Sequence, residues 1–154
     1  MKVRINLGRL HFFTSLAWYL KVTGVNSKLP GGEHFLMWDF DDTPLEDIEK
    51  TLRSKQKLFL LSAIYIVCTG LPRHYHAYCF TTLTWAQVLY ILADTEGIDR
   101  MFFRIGVMRG YFTLRYTPKK GRELTLVRIL DSPTAEDVNP AIIKNFIEYE
   151  TKRR

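Results

Sequence analysis

Two aspartates, Asp39 and Asp41, stand two positions apart at the end of the hydrophobic run His34–Phe40, and a third, Asp99, follows Gly97-Ile98. Alternate side chains of a strand share a face, so Asp39 and Asp41 point one way while Phe40 packs the other. Two carboxylates held roughly 7 Å apart on one strand repel each other unless a cation lies between them. Hard oxygen donors of this kind suit magnesium or manganese, with substrate phosphates completing the coordination. Asp42 has the opposite parity and begins a turn. Asp99 precedes the apolar stretch Phe102–Val107, which reads as a strand, so its carboxylate is expected at a strand entrance and is the best third ligand. Asp94 and Glu96 read as the polar end of a helix, and Asp131-Ser132-Pro133 as a turn. The plain alternatives are a strand end that exposes ordinary acids and, for Asp99, a helix cap or turn.

Charge is distributed unevenly along the chain. Glu33 to Glu49 holds seven acids and no Lys or Arg, whereas Arg100 to Arg128 holds eight Lys or Arg and one acid, within a formal net charge of +6. Carboxylates that hold metal beside a basic strip that neutralises phosphate are what nucleic-acid chemistry requires. In Tyr111–Lys119 the residues Thr113, Arg115 and Thr117 alternate with Phe112, Leu114 and Tyr116, which puts Arg115 on the polar face of a half-buried strand. A planar guanidinium there can grip two phosphate oxygens, and Lys119 follows at the turn. Arg104 and Arg109 would line the same trough for nucleic acid, with Tyr111 or Tyr116 stacking on bases. His74-Tyr75-His76 puts two imidazoles on one strand face, with Tyr78 beyond; His76 lies deeper, while His74 and Arg73 sit at the mouth, placed for incoming phosphates.

These residues need a scaffold. At 154 residues, 47% hydrophobic and 14% aromatic, the chain is long enough for one domain spanning 1–154 with a sizeable core. The apolar run Leu58–Cys68 is shorter than the roughly 20 residues of a membrane span. With no signal-peptide pattern at the N-terminus, and with Cys68 and Cys79 forming neither a disulfide framework nor a zinc set, a cytoplasmic chain is expected.

Element by element, Arg4–Leu10 reads as a strand, Phe12–Val22 as a short helix or aromatic-rich strand, and Gly24–Gly32 as a loop. Strand His34–Phe40 follows. Thr43, Pro44 and Glu46 are read as cap, first helical residue and capping-box partner of a helix that buries Leu45, Ile48 and Leu52. Strands are expected at Phe59–Val67 and His74–Phe80 around a Gly70–Arg73 turn, and a helix from Thr84 to near Gly97. Further strands are expected at Phe102–Val107, Tyr111–Tyr116 and Leu124–Leu130, with a turn at Pro118–Gly121 and a final helix over Pro140–Glu150. The sum is an α+β fold, an antiparallel or mixed sheet with helices mainly on one face.

The order of these motifs resembles the catalytic core of the archaeo-eukaryotic primase superfamily, the primase-polymerases. Phe35-Leu36-Met37-Trp38-Asp39-Phe40-Asp41 looks like its hydrophobic strand ending in Asp-x-Asp. Thr69-Gly70 through His76-Ala77-Tyr78 looks like its small-basic-His hairpin, Gly97-Ile98-Asp99 like its later hydrophobic-Asp, and Tyr111–Lys119 like its arginine-bearing strand. The resemblance covers Phe35 to Lys119. It implies an RRM-like sheet with a small N-terminal α/β unit. It also implies Asp39, Asp41 and Asp99 as ligands of Mg2+ or Mn2+, and His76 with Arg73, Arg115 and Lys119 at the nucleotide phosphates. The implied partners are a single-stranded DNA or RNA template, nucleoside triphosphates, and a helicase or other replication protein. Two departures are visible: Gly70-Leu71-Pro72-Arg73-His74-Tyr75 is longer than a tight glycine turn, and there is no cysteine-rich zinc module.

Two other classes share many of these features. A rolling-circle replication initiator would bind metal with His74 and His76 and attack DNA with Tyr90, on the helix after the histidine strand. A non-catalytic nucleic-acid-binding module would use only the basic strip and exposed aromatics.

Overall fold

The computed structural model describes the backbone of residues 2–7, 10–15, 19–116, 122–139 and 146–152, and the side chains of residues 24–116 and 122–139. Their order is β1 (Lys2–Leu7), β2 (Leu10–Ser15), β3 (Tyr19–Asn26), β4 (His34–Phe40), α1 (Leu45–Leu58), β5 (Ile64–Cys68), β6 (Tyr75–Leu83), α2 (Trp85–Ala93), α3 (Arg100–Arg109), β7 (Thr113–Arg115), β8 (Thr125–Leu130) and β9 (Phe146–Lys152). The fold is mixed α+β. A four-stranded sheet runs β4-β6-β5-β8, a three-stranded sheet runs β7-β3-β9, and β1 pairs with β2 as a ribbon. The pairings are antiparallel.

In the larger sheet β6 lies between β4 and β5, the two strands that α1 connects, so β4-α1-β5 is a split β-α-β unit. Strand β4 is buried almost throughout, with Phe35, Leu36, Met37, Trp38 and Phe40 sealed from solvent. Trp38, Ala77 and Ile66 form one cross-strand row, and Leu36, Cys79 and Ile64 the next. Helix α1 contributes Ile48 and Leu52 to the core, and α2 contributes Val88, Ile91 and Leu92. Full burial of each such aliphatic side chain stabilises by roughly 1.5–3 kcal/mol.

Several expectations are corrected. Phe102–Val107 is not a strand: it lies inside α3, with Asp99 as N-cap and left-handed Gly110 closing the C-terminus. Its apolar residues have helical spacing, and Phe102, Phe103 and Gly106 all meet Phe112. The start and stop signals, an Asp before the run and a Gly after Arg109, outweigh its β-prone composition. In place of a helix over Pro140–Glu150, residues Phe146–Lys152 are β9, paired along β3; 140–145 lie outside the described residues, as does the turn expected at Pro118–Gly121. The N-terminal part is β1, β2 and β3 rather than an α/β unit among the described residues. Phe12–Val22 thus contributes to two strands, and β3 extends to Asn26, into the expected loop.

Helix α1 begins one residue later than expected, at Leu45. Pro44 is its N-cap, with no side-chain capping bond. Thr43 is engaged elsewhere: its N–H donates to Arg73 O and its hydroxyl to Asp41 O. Strand β5 starts only at Ile64, because the α1 C-cap at Phe59 and left-handed Leu60 turn the chain first. Helix α2 starts at the expected Thr84 with a full capping box to Gln87, but ends at Ala93.

Candidate active-site cleft

The antiparallel register sets Asp39 of β4 directly opposite His76 of β6, and Phe40 opposite Tyr75. Continuing that register brings Asp41 level with His74. His74 Nδ1 lies 2.6 Å from Asp41 Oδ1, and His76 Nε2 lies 3.7 Å from Asp39 Oδ1. The two aspartates and two histidines are thus interleaved as two carboxylate–imidazole pairs on one sheet face. Thr69, Leu71, Thr113, Leu114, Arg115, Arg122 and Leu124 complete the lining of a cleft of about 310 Å³.

The second wall comes from β7, and β3 and α3 position it. Ser27 N–H donates to Phe112 O at 2.9 Å, Phe112 N–H donates to Ser27 Oγ at 2.9 Å, and Phe35 N–H donates to Ser27 O at 3.0 Å. Ser27 Oγ is also 3.2 Å from Nδ1 of His34, so one buried serine fixes β7 against β4. Phe112 reaches this position because residue 106 is glycine. A Cβ there would come within 2.1 Å of the Phe112 ring, so any side chain on that turn of α3 would displace the wall.

Burial governs the electrostatics of His76. Desolvation pushes its pKa down to about 4; Asp41 opposes this shift and Arg115 reinforces it. The ring is therefore neutral at neutral pH, one nitrogen donating and the other accepting. Tyr78 Oη is 3.4 Å from Nδ1, and burial raises the pKa of the Tyr78 phenol, so that hydroxyl keeps its proton. A Tyr78 hydroxyl that donates to Nδ1 leaves the His76 proton on Nε2, on the side of Asp39.

The other expected residues are dispersed. Asp99 N–H donates to Asp39 O at 2.8 Å, and the Asp99 carboxylate caps α3 by accepting from Phe102 N–H. Asp99 therefore anchors the end of β4 through its backbone, and it does not line the cleft. Among the described residues no group of three or more His, Cys, Asp or Glu side chains is arranged to hold a metal ion. Asp39 and Asp41 do fit the usual magnesium pattern of one or two carboxylates plus substrate phosphates. Arg73 pairs with Asp42 (Nε to Oδ1, 3.1 Å) and does not line the cleft. Arg104 and Arg109 are exposed on α3 rather than in a strand trough, and Lys119 lies outside the described residues. Tyr90 is 66% exposed on α2, packs edge-on against Phe59, and lines a separate apolar pocket.

Sequence reasoning did not single out Arg122 as a site residue. Its only signal was membership in the basic strip, and its presence in the cleft depends on a close approach to Gly70, where a Cβ would lie 2.6 Å from Arg122 Cβ. No family model, curated protein or solved structure shows a significant match to this chain. Among the described residues no helix is long and apolar enough to cross a membrane.

Proposed function

We propose that the chain is a divalent-metal-dependent nucleotidyltransferase of the primase-polymerase type, adding nucleotides from triphosphates on a single-stranded DNA or RNA template. The observation that carries this reading is the cross-strand pairing of Asp39 with His76 beside Asp41, in a cleft whose opposite wall bears Arg115. Carboxylates on one wall and a guanidinium on the other match the two needs of phosphoryl chemistry, a cation seat and an anion seat. The split β-α-β unit around β6 supports an RRM-like reading of the sheet. Strand β8 departs from that pattern by lying beyond β5, whereas the last strand of an RRM lies beyond the first.

In this mechanism Asp39 and Asp41 hold Mg2+ or Mn2+, which when bound supplies neutralisation of phosphate charge and a lowered pKa for an attacking hydroxyl. Neutral His76 donates a hydrogen bond to a phosphate oxygen without adding a counter-charge that would compete for the aspartates. Arg115 grips the phosphates from the second wall, with Lys119 as a further cation, and Asp99 keeps the end of β4, and so Asp39, in place. Arg104 and Arg109 attract template from α3, and a helicase or other replication protein is the natural partner. The deciding assay offers a primed template, labelled ribo- and deoxyribonucleotides and manganese. Extension by wild type that is lost in Asp41→Ala supports the proposal; no extension and no dinucleotide formation by wild type overturns it.

A further inference from the structure

We infer that Thr113, Arg115 and Arg122 form one oxyanion seat for the polyphosphate tail of a nucleotide, Thr113 and Arg115 supplied by β7 and Arg122 by the segment packed against Gly70 of the histidine hairpin. The inference rests on the proposed function for the identity of the nucleotide, and on geometry alone for the seat. Three observations meet there. The Thr113 hydroxyl is buried and has no hydrogen-bond partner among the described residues. Buried polar groups are almost always satisfied, and an oxygen of a ligand bound in the cleft would satisfy this one. Thr113 and Arg115 are two apart on β7, with buried Leu114 between them, so they share a face. Arg115 and Arg122 both line the cleft, and neither has an ion pair among the described residues.

Arg122 is brought there by a specific contact. Gly70, at φ +77°, lies against the backbone and Cβ of Arg122, so the turn that carries the histidine hairpin also sets the second arginine. Two guanidiniums and a hydroxyl offer several donors to clustered oxygens, which a tripolyphosphate presents and an isolated backbone phosphodiester does not.

The test is calorimetric titration of the full chain with inorganic tripolyphosphate, and separately with a single-stranded oligodeoxynucleotide lacking terminal phosphates. Both are run without magnesium and again with it, so that the seat is measured apart from the aspartates. Arg122→Ala should weaken tripolyphosphate by about tenfold or more, as loss of a charge-assisted hydrogen bond requires. The isosteric Thr113→Val should weaken it by about fivefold, the value of a neutral donor. Both should leave oligonucleotide affinity at matched salt within about twofold, and unchanged melting temperatures would exclude a folding defect. Wild type that binds no tripolyphosphate in either buffer, or variants that bind it as wild type does, would overturn the seat. Equal weakening for tripolyphosphate and oligonucleotide would also overturn it, by assigning these residues to a nucleic-acid backbone. Tripolyphosphate binding with no nucleotide transfer would leave the seat standing and remove the proposed function. Transfer with an unchanged nucleotide KM in Arg122→Ala would do the reverse.

Discussion

Asp39 and His76 face each other across β4 and β6, with His76 Nε2 3.7 Å from the carboxylate, while one step along the same strands His74 Nδ1 sits 2.6 Å from Asp41. Each acid thus has an imidazole beside it, supplied by a hairpin that the Thr69–His74 turn closes. Thr69 N–H donates to His74 O, and Thr43 N–H donates to Arg73 O, so both pairs are held by main-chain bonds rather than by side-chain chance. Preorganisation of this kind is what a site needs if it is to stabilise charge that develops during reaction.

Asp39→Asn and Asp41→Asn keep the shape of the cleft and remove its negative charge. Each is expected to lower kcat for nucleotide transfer by about 100-fold or more, with much smaller changes in nucleotide affinity, because the lost electrostatics act on the transition state. Steady-state kinetics in manganese measure the split. A rise in KM with kcat preserved would place the aspartates in ground-state binding instead.

Asp99 offers a way to separate a cap from a ligand. Asn caps helices nearly as well as Asp, so Asp99→Asn should hold its melting temperature and most of its transfer activity, whereas Asp99→Ala should lose about 1 kcal/mol. Thermal denaturation and the extension assay together decide it. A stable but inactive Asp99→Asn would show that the carboxylate serves the metal.

The depressed pKa of His76 makes stability depend on pH in a defined direction. The folded state keeps this imidazole neutral down to about pH 4, while the unfolded chain protonates it near 6.5. Its contribution is fully present above about pH 6.5 and is lost as pH falls from there towards 4. Urea midpoints for wild type should therefore drop more steeply over this window than those of His76→Asn. His34, whose pKa burial also lowers, titrates in both proteins and cancels in the comparison. Parallel slopes would mean that His76 is protonated in the folded state.

Gly106→Ala places a methyl within 2.1 Å of the Phe112 ring. Overpacking of this size costs about 1–3 kcal/mol, and the strain falls on the residue that leads into β7. Chemical denaturation should show the loss, and Phe112→Leu in the same chain should recover part of it. A fully stable Gly106→Ala would mean that α3 can shift away from β7 at little cost.

Arg104 and Arg109 lie on exposed turns of α3, outside the cleft. If they attract template, each Arg→Ala should reduce the magnitude of the salt dependence of single-stranded DNA binding by about one unit of log–log slope. Filter binding at several salt concentrations gives the slopes. Unchanged values in both variants would move the nucleic-acid path off this helix.

Local pattern was enough to place β4, to pair the parity of Asp39 with Asp41, to put His74 and His76 on one face, and to start α2 at Thr84. These features depend on side-chain period and on capping chemistry, both carried by residues a few positions apart. It was also enough to mark Arg115 as the polar residue of a half-buried strand. Phe102–Val107 has the aromatic and β-branched residues of a strand, yet the Asp and Gly that bound it make a helix, and Phe146–Lys152 has apolar spacing that suits either period, so that pairing with a distant β3 selects the strand. The meeting of Asp39 with His76, the diversion of Asp99 to a helix cap, and the arrival of Arg122 beside Gly70 were decided only by tertiary structure. Each joins residues far apart in sequence through sheet register or the absence of a single Cβ, and neither of those has a local signature.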